Sequence, residues 1–159
     1  MESRIRNLAV TGTTTAATLM DYKGYKELKC YIEARSLRIF VSELTKRFSA
    51  HEKFLLTAQI IDSSRSVTRN MAEGYGRYTF SDTRNFFIIA RGSVTETMEH
   101  LATAFDENYN TEEELTTGER KCELVFKLTN GYIAYLDKSH EIKLLASQKP
   151  NSKTPNPNS

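Results

Sequence analysis

Proline is missing from almost the whole chain. The three that occur, Pro150, Pro155 and Pro157, all fall in the closing stretch SQKPNSKTPNPNS. Proline removes a backbone donor, and its ring clashes with the carbonyl one turn back, so it ends or kinks a helix. Its absence elsewhere leaves residues 25 to 145 free to be helical nearly throughout. β-Branched runs and strict apolar–polar alternation are scarce, so the periodicity predicts an all-α domain. The proline-bearing end carries no apolar cluster and is expected to be a disordered tail over residues 146–159.

Four apolar stripes at helical spacing follow one another. The first, from about Tyr25 to Phe48, carries Leu28, Tyr31, Ala34, Leu37, Val41, Leu44 and Phe48. The second, from about Ala50 to Gly74, carries Leu56, Ile60, Val67 and Met71. The third carries Phe87, Ala90, Val94, Leu101 and Ala104, and the fourth Leu115, Cys122, Val125, Leu128, Tyr132, Leu136 and His140. Each later segment is preceded by a capping-box pattern: Ser49 with Glu52, Thr79 with Asp82, and Thr111 with Glu114. One apolar stripe per helix, joined by short loops, predicts an up-down-up-down antiparallel four-helix bundle over residues 21–145. Residues 1–20 fit no helix and are expected to be a flexible extension.

Several function classes lose support on composition. No run approaches the ~20 apolar residues of a membrane span. The threonine-broken start, MESRIRNLAVTGTTTAATLM, makes a poor signal peptide, so a cytoplasmic protein is expected. Cys30 and Cys122 have no CxxC spacing and read as packing residues. The net charge is only +2, so any nucleic-acid role needs a local patch.

The stretch NMAEGYGRYTF, beginning at Asn70, is the chain's odd segment. A Walker loop would need a preceding strand and a Gly-Lys-Ser/Thr ending, and neither is present. Gly74 stands where a left-handed helix cap belongs, which makes the segment a helix-to-helix corner. Arg77 is not required by such a corner.

With its flanks, this segment resembles a known family. The pattern Phe48-x-x-x-Glu52-x-x-Leu55-x-x-x-Gln59-x-x-x-x-x-x-Ser66-Val67-x-x-Asn70-x-Ala72-Glu73-Gly74-x-Gly76-Arg77 is similar to the signature of a family of four-helix-bundle proteins. That family was first noticed as reading frames in intervening sequences of bacterial 23S rRNA genes. Phe87-Ile88-Ile89-Ala90-Arg91-Gly92-Ser93-Val94-Thr95-Glu96 resembles its second motif. The likeness spans roughly residues 25 to 137. Where the family often has proline, this chain has Ser49 and Thr68. The resemblance implies a homopentamer around a central channel, with no established enzymatic activity and no cofactor. It makes Gln59, Asn70, Glu73, Gly74, Gly76, Ser93 and Glu96 motif residues. A distant relative, the accessory protein Avd of diversity-generating retroelements, is a basic pentamer that binds nucleic acid and a reverse transcriptase. RNA, DNA or such an enzyme is therefore an expected partner.

Catalytic chemistry is poorly supported. No histidine has the Glu-x-x-His spacing of a di-iron bundle, and Glu96 with His100 is a single pair. Ser93 lacks a strand–turn–helix elbow. Gln59, Asn70, Glu73 and Glu96 read as a structural polar network near the apolar faces, with a carboxylate site as the functional alternative. The arginines point further. Asp62, Arg65, Arg69 and Glu73 form one helical stripe, either an ion-pair ladder or a phosphate-facing row. Arg84 and Arg91 share a face of the next helix and, with Arg77, could complete a basic strip. Tyr75 and Tyr78 border Arg77 and suit stacking on unpaired bases. Tyr31, Phe40, Phe54, Phe86 and Phe126 do not share one seam, so they are expected at a subunit interface. The resulting reading is a non-enzymatic, self-associating binding or scaffold protein with Arg65, Arg69, Arg77, Arg84 and Arg91 on nucleic acid. The alternatives are an assembly subunit that binds only protein, and an enzyme built on the polar residues.

Overall fold

The computed structural model describes residues 24–148. The expected extension and nearly all of the expected tail lie outside the described residues. Four helices form: α1 (Lys29–Thr45), α2 (Leu56–Tyr75), α3 (Phe80–Asp106) and α4 (Glu112–Ser147). Short 3-10 turns precede α1 and α2, at Tyr25–Glu27 and Ala50–Phe54. No strand occurs among the described residues.

The helices are arranged as a ring in which each packs on its sequence neighbour and α4 closes onto α1. Cross-helix bonds run in opposite directions along the chain, as antiparallel packing requires. Arg84 and Arg91 of α3 meet Asp137 and Asn130 of α4. Lys121 of α4 meets Ser36 of α1, and Arg47, just past α1, meets Glu114. The four predicted stripes supply the core: Ala34, Leu37, Val41, Ile60, Val67, Met71, Phe87, Ala90, Val94, Leu101 and Val125 are fully enclosed. His140 departs from the expectation. It is exposed and stacks on Phe80 at 4.8 Å. Cys30 and Cys122 are buried free thiols; burial pushes them up from 9.0 to about 11 and about 12. They stay protonated at neutral pH and poor as nucleophiles.

The α2–α3 interface is the most extensive in the bundle. Small side chains explain it: Ser66 and Ser93 share a hydrogen bond at 2.8 Å, and the Ser63 and Thr97 hydroxyls pair at 3.0 Å. Asn70 joins this ladder by donating to the Ser66 hydroxyl at 3.0 Å. The buried polar network is thus built from hydroxyls. Of the four residues expected to form it, only Asn70 takes part; Gln59, Glu73 and Glu96 are exposed. Carboxylates and amides are long enough to reach water from a helix flank, whereas a serine hydroxyl at the seam must pair inside.

Three local expectations are corrected. Ser49 makes no side-chain cap. Its intended partner Glu52 is buried and instead accepts the Leu56 N–H at 3.2 Å and the Tyr109 hydroxyl at 3.2 Å. α2 therefore begins at Leu56, after a 3-10 turn, and not at Ala50. Second, Gly74 is no left-handed cap, because no described glycine has positive φ. α2 runs on through Tyr75 and is capped at Gly76 in right-handed geometry, φ −79°. The left-handed cap is Asn108, φ 63°, where Tyr109 N–H reaches Ala104 C=O at 2.8 Å. That is a Schellman closure with asparagine in place of glycine. Third, the odd aromatics do not form an exposed set. Phe54 is exposed as expected, but Tyr31 is buried, Phe40 and Phe126 pack against the core, and Phe86 lies under Arg77. Thr79 and Thr111 do cap α3 and α4, the latter in a full capping box.

Removing the Glu52 carboxylate is expected to fray the start of α2. Glu52→Ala should lower the unfolding free energy by about 1–2 kcal/mol, the range for a lost helix cap. Urea unfolding measures it, and Ser49→Ala should change little.

Candidate functional site

The five arginines singled out above do not form one strip. Arg65 and Arg69 stand on the α1 side of α2 and line a groove with α1. Arg84 and Arg91 lie on the opposite side of the ring, engaged with α4. Arg84 bonds Asp137 at 2.6 Å, and Arg91 donates to Asn130 at 2.8 Å with its guanidinium 5.8 Å from the Phe126 ring centre. Arg77, at the α2–α3 corner, pairs with Glu73 at 2.5 Å and covers Phe86 at 4.7 Å. Glu73 thus serves Arg77 and not Arg69. Tyr78 is fully exposed, but Tyr75 turns back toward Tyr25, ring centres 6.2 Å apart.

The α1/α2 groove is the more open chemistry. It encloses about 520 Å³. Arg38 and Ser42 contribute from α1, and Ser64, Arg65, Thr68 and Arg69 from α2; Tyr31, Ile39, Ile61 and Ala72 make its apolar lining. Arg38 is half-buried and donates to the Thr68 hydroxyl at 3.1 Å. A guanidinium has five donors, so most of its capacity is left over. Among the described residues no carboxylate lies within 4.0 Å of Arg38 or Arg65. Arg69 meets Asp62 only at 3.8 Å, with both side chains largely exposed. A second groove of about 420 Å³, lined by Lys26, Tyr31, Ile32 and Arg35, continues past Tyr31. Five cations therefore follow this side of the bundle. A guanidinium drawn partly out of water without a counter-charge favours an incoming anion.

Arg38 escaped the sequence reading. Its signal was present: Tyr31, Arg35, Arg38 and Ser42 follow helical spacing beside the α1 apolar stripe. What was missing is the helix lying across from it.

Other chemistry is sparse. His100 sits 3.8 Å from Glu96, and its Nε2 makes no hydrogen bond. Among the described residues no three of His, Cys, Asp and Glu gather as metal ligands do. No described helix is long and apolar enough to cross a membrane.

Residues 26–131 match the family model for the 23S rRNA-intervening sequence protein. The chain belongs to this family. The match covers most of the bundle, including both motifs and the α1/α2 groove. The fold is also that of a Bacteroides thetaiotaomicron protein of unknown function from the S23 ribosomal protein family, known from a crystal structure. The two are 22% identical with a TM-score of 0.61, over 65% of this chain and 97% of the other. A search of curated proteins finds no match. For this member of the intervening-sequence family, the groove is the feature from which a function can be argued.

Proposed function

We propose that this intervening-sequence family protein is a non-enzymatic binding protein that self-assembles and holds nucleic acid by its phosphate backbone along the α1/α2 groove. One observation carries the reading. Among the described residues Arg38 and Arg65 have no carboxylate partner, and they stand with Arg69 in one concave site. Guanidinium groups match phosphate oxygens in a planar, two-pronged geometry and need no base contact to do so. The nearly neutral chain makes this a local patch, and repetition in a ring of copies would raise its avidity. The family resemblance supports a homopentamer, for which light scattering should give about five times the 18.2 kDa chain mass. A monomer at micromolar concentration would end that part of the proposal.

The test is binding of labelled RNA and DNA over a salt series. Each neutralised phosphate adds ~0.7 (single strand) to ~0.9 (duplex) to the slope of log affinity against log salt. Joint replacement of Arg38, Arg65 and Arg69 by glutamine is expected to lower that slope by roughly 2 or more. Thr68 keeps its bond to the Arg65 carbonyl, 3.1 Å, so its buried hydroxyl is not left unpaired when Arg38 is replaced. Arg84→Gln should leave the slope unchanged. No binding of RNA or DNA at low salt would leave a protein-only assembly subunit, a reading favoured by the exposed Ile89, Tyr135, Ile142 and Leu145.

A further inference from the structure

The geometry points to an unpaired strand, and not a duplex, as the ligand of the α1/α2 groove; this rests on the phosphate-binding reading above. A row of cations alone would not distinguish the two. The apolar lining does. Ile39 stays 44% exposed between Arg38 and Ser42, and Ile61, Ala72 and the Tyr31 ring complete the surface below it. Exposed isoleucine among arginines gives no advantage to a site for phosphate only. A flat nucleobase would cover it, because a base offers an apolar face to any partner and a guanidinium can stack on its other side.

Shape argues the same way. The site lies between two packed helices, whose axes sit ~8–10 Å apart. A double helix is too wide to enter and keeps its bases stacked inside, so its phosphates could touch only the rim. A strand can lay its backbone along the guanidinium groups and turn single bases onto the apolar strip. Arg38 stands on one helix and Arg65 and Arg69 on the other, so phosphates would be met from both sides.

Length separates a strand from a free nucleotide, the other source of the same chemistry. The neighbouring groove repeats the pattern one step along α1: Ile32 is 49% exposed beside Lys26 and Arg35. Ile32 and Ile39 are two turns apart on one face of α1, and Tyr31 lines both grooves. Two such steps in succession suit consecutive nucleotides.

Fluorescence anisotropy at low salt decides it. The probes are a labelled oligothymidylate, the same oligomer annealed to its complement, and thymidine monophosphate as competitor. The single strand is expected to bind at least about tenfold more tightly than the duplex. Replacing both Ile32 and Ile39 by serine should weaken the strand by at least about tenfold, since two base contacts are lost and one stacked base is worth about that much. The salt slope should stay the same, since no cation is removed; a fold-related loss would change it along with the circular dichroism. Equal binding of strand and duplex by the unmodified protein overturns the inference and leaves the phosphate reading standing. Monophosphate competing at the strand's own affinity overturns it too, by reducing the site to one nucleotide. Absence of all three from the protein removes the phosphate reading with it.

Discussion

Phe87→Ala is expected to bring this domain close to unfolding. Phe87 is the largest fully enclosed side chain and meets Tyr132 of α4 with ring centres 4.4 Å apart. It also packs against α2 beside Gly74, where an added Cβ would lie 3.2 Å from its ring. Its removal would open a cavity bordered by three helices at once, which restricts collapse around the gap. Such truncations cost about 3–5 kcal/mol. Domains hold only ~5–15 kcal/mol in total, so this one substitution removes a large share. Urea unfolding should show a much lower midpoint with the slope preserved. Ile89→Ala, two positions along and 51% exposed, should change stability by less than about 1 kcal/mol. Comparable losses from the two would mean that Phe87 is not the keystone of the α2–α3–α4 junction.

The second large effect is expected at Gly74, for a reason the motif does not reveal. A Cβ there would lie 2.7 Å from the Phe86 Cβ and 3.1 Å from the Thr83 carbonyl oxygen. Both atoms belong to the first turns of α3 and cannot swing aside as a side-chain tip can. Gly74→Val should therefore push α3 away from α2 and destabilise the fold by about 3 kcal/mol, in the upper range for overpacking. Asparagine separates this cause from backbone handedness. Left-handed positions accept it, so Gly74→Asn would be mild if handedness mattered; with space as the cause it should be nearly as harmful as valine. Gly76 is the contrast. Its added Cβ would come no closer than 3.5 Å to the Glu73 carbonyl, and its φ of −79° suits any residue. Gly76→Ala is expected to be neutral or to stabilise by ~0.4–1 kcal/mol, through the unfolded chain. Thermal and urea unfolding of the three variants give the answer.

Both effects trace to the α2–α3 seam, and this seam shows how far the residues could be read in advance. Ser63 and Ser66 stand three residues apart on α2, a spacing that puts them on one helix face. The hydrogen bonds between Ser66 and Ser93 and from Thr97 to Ser63 were not legible, because these hydroxyls face each other only once the two helices are brought into register. Glu52 shows the same limit at a helix end. Its spacing from Ser49 matched a capping box, yet its carboxylate turns forward to Leu56 and across to Tyr109. Tyr109 arrives from the α3–α4 loop, far along the chain, and partial burial followed by the Glu52 charge pushes its phenol up from 10.0.

The proline-free span, the four apolar stripes and the Thr79 and Thr111 caps determined the helices, their order and their antiparallel run. These are local properties: a helical period places a side chain on its own helix whatever surrounds it. Tertiary structure decided everything that depends on a second helix. Arg65 and Arg91 both flank an apolar stripe, and nothing within either helix says which neighbour lies beside that flank. Closure of the ring sends Arg65 and Arg69 to α1, where Arg38 waits, and Arg84 and Arg91 to α4, where Asp137 and Asn130 engage them. Gly74 was conspicuous in the sequence, but whether it served a turn or a contact rested on the distance to Phe86. A residue's spacing along its helix sets its direction; what it meets there is set by how the helices pack.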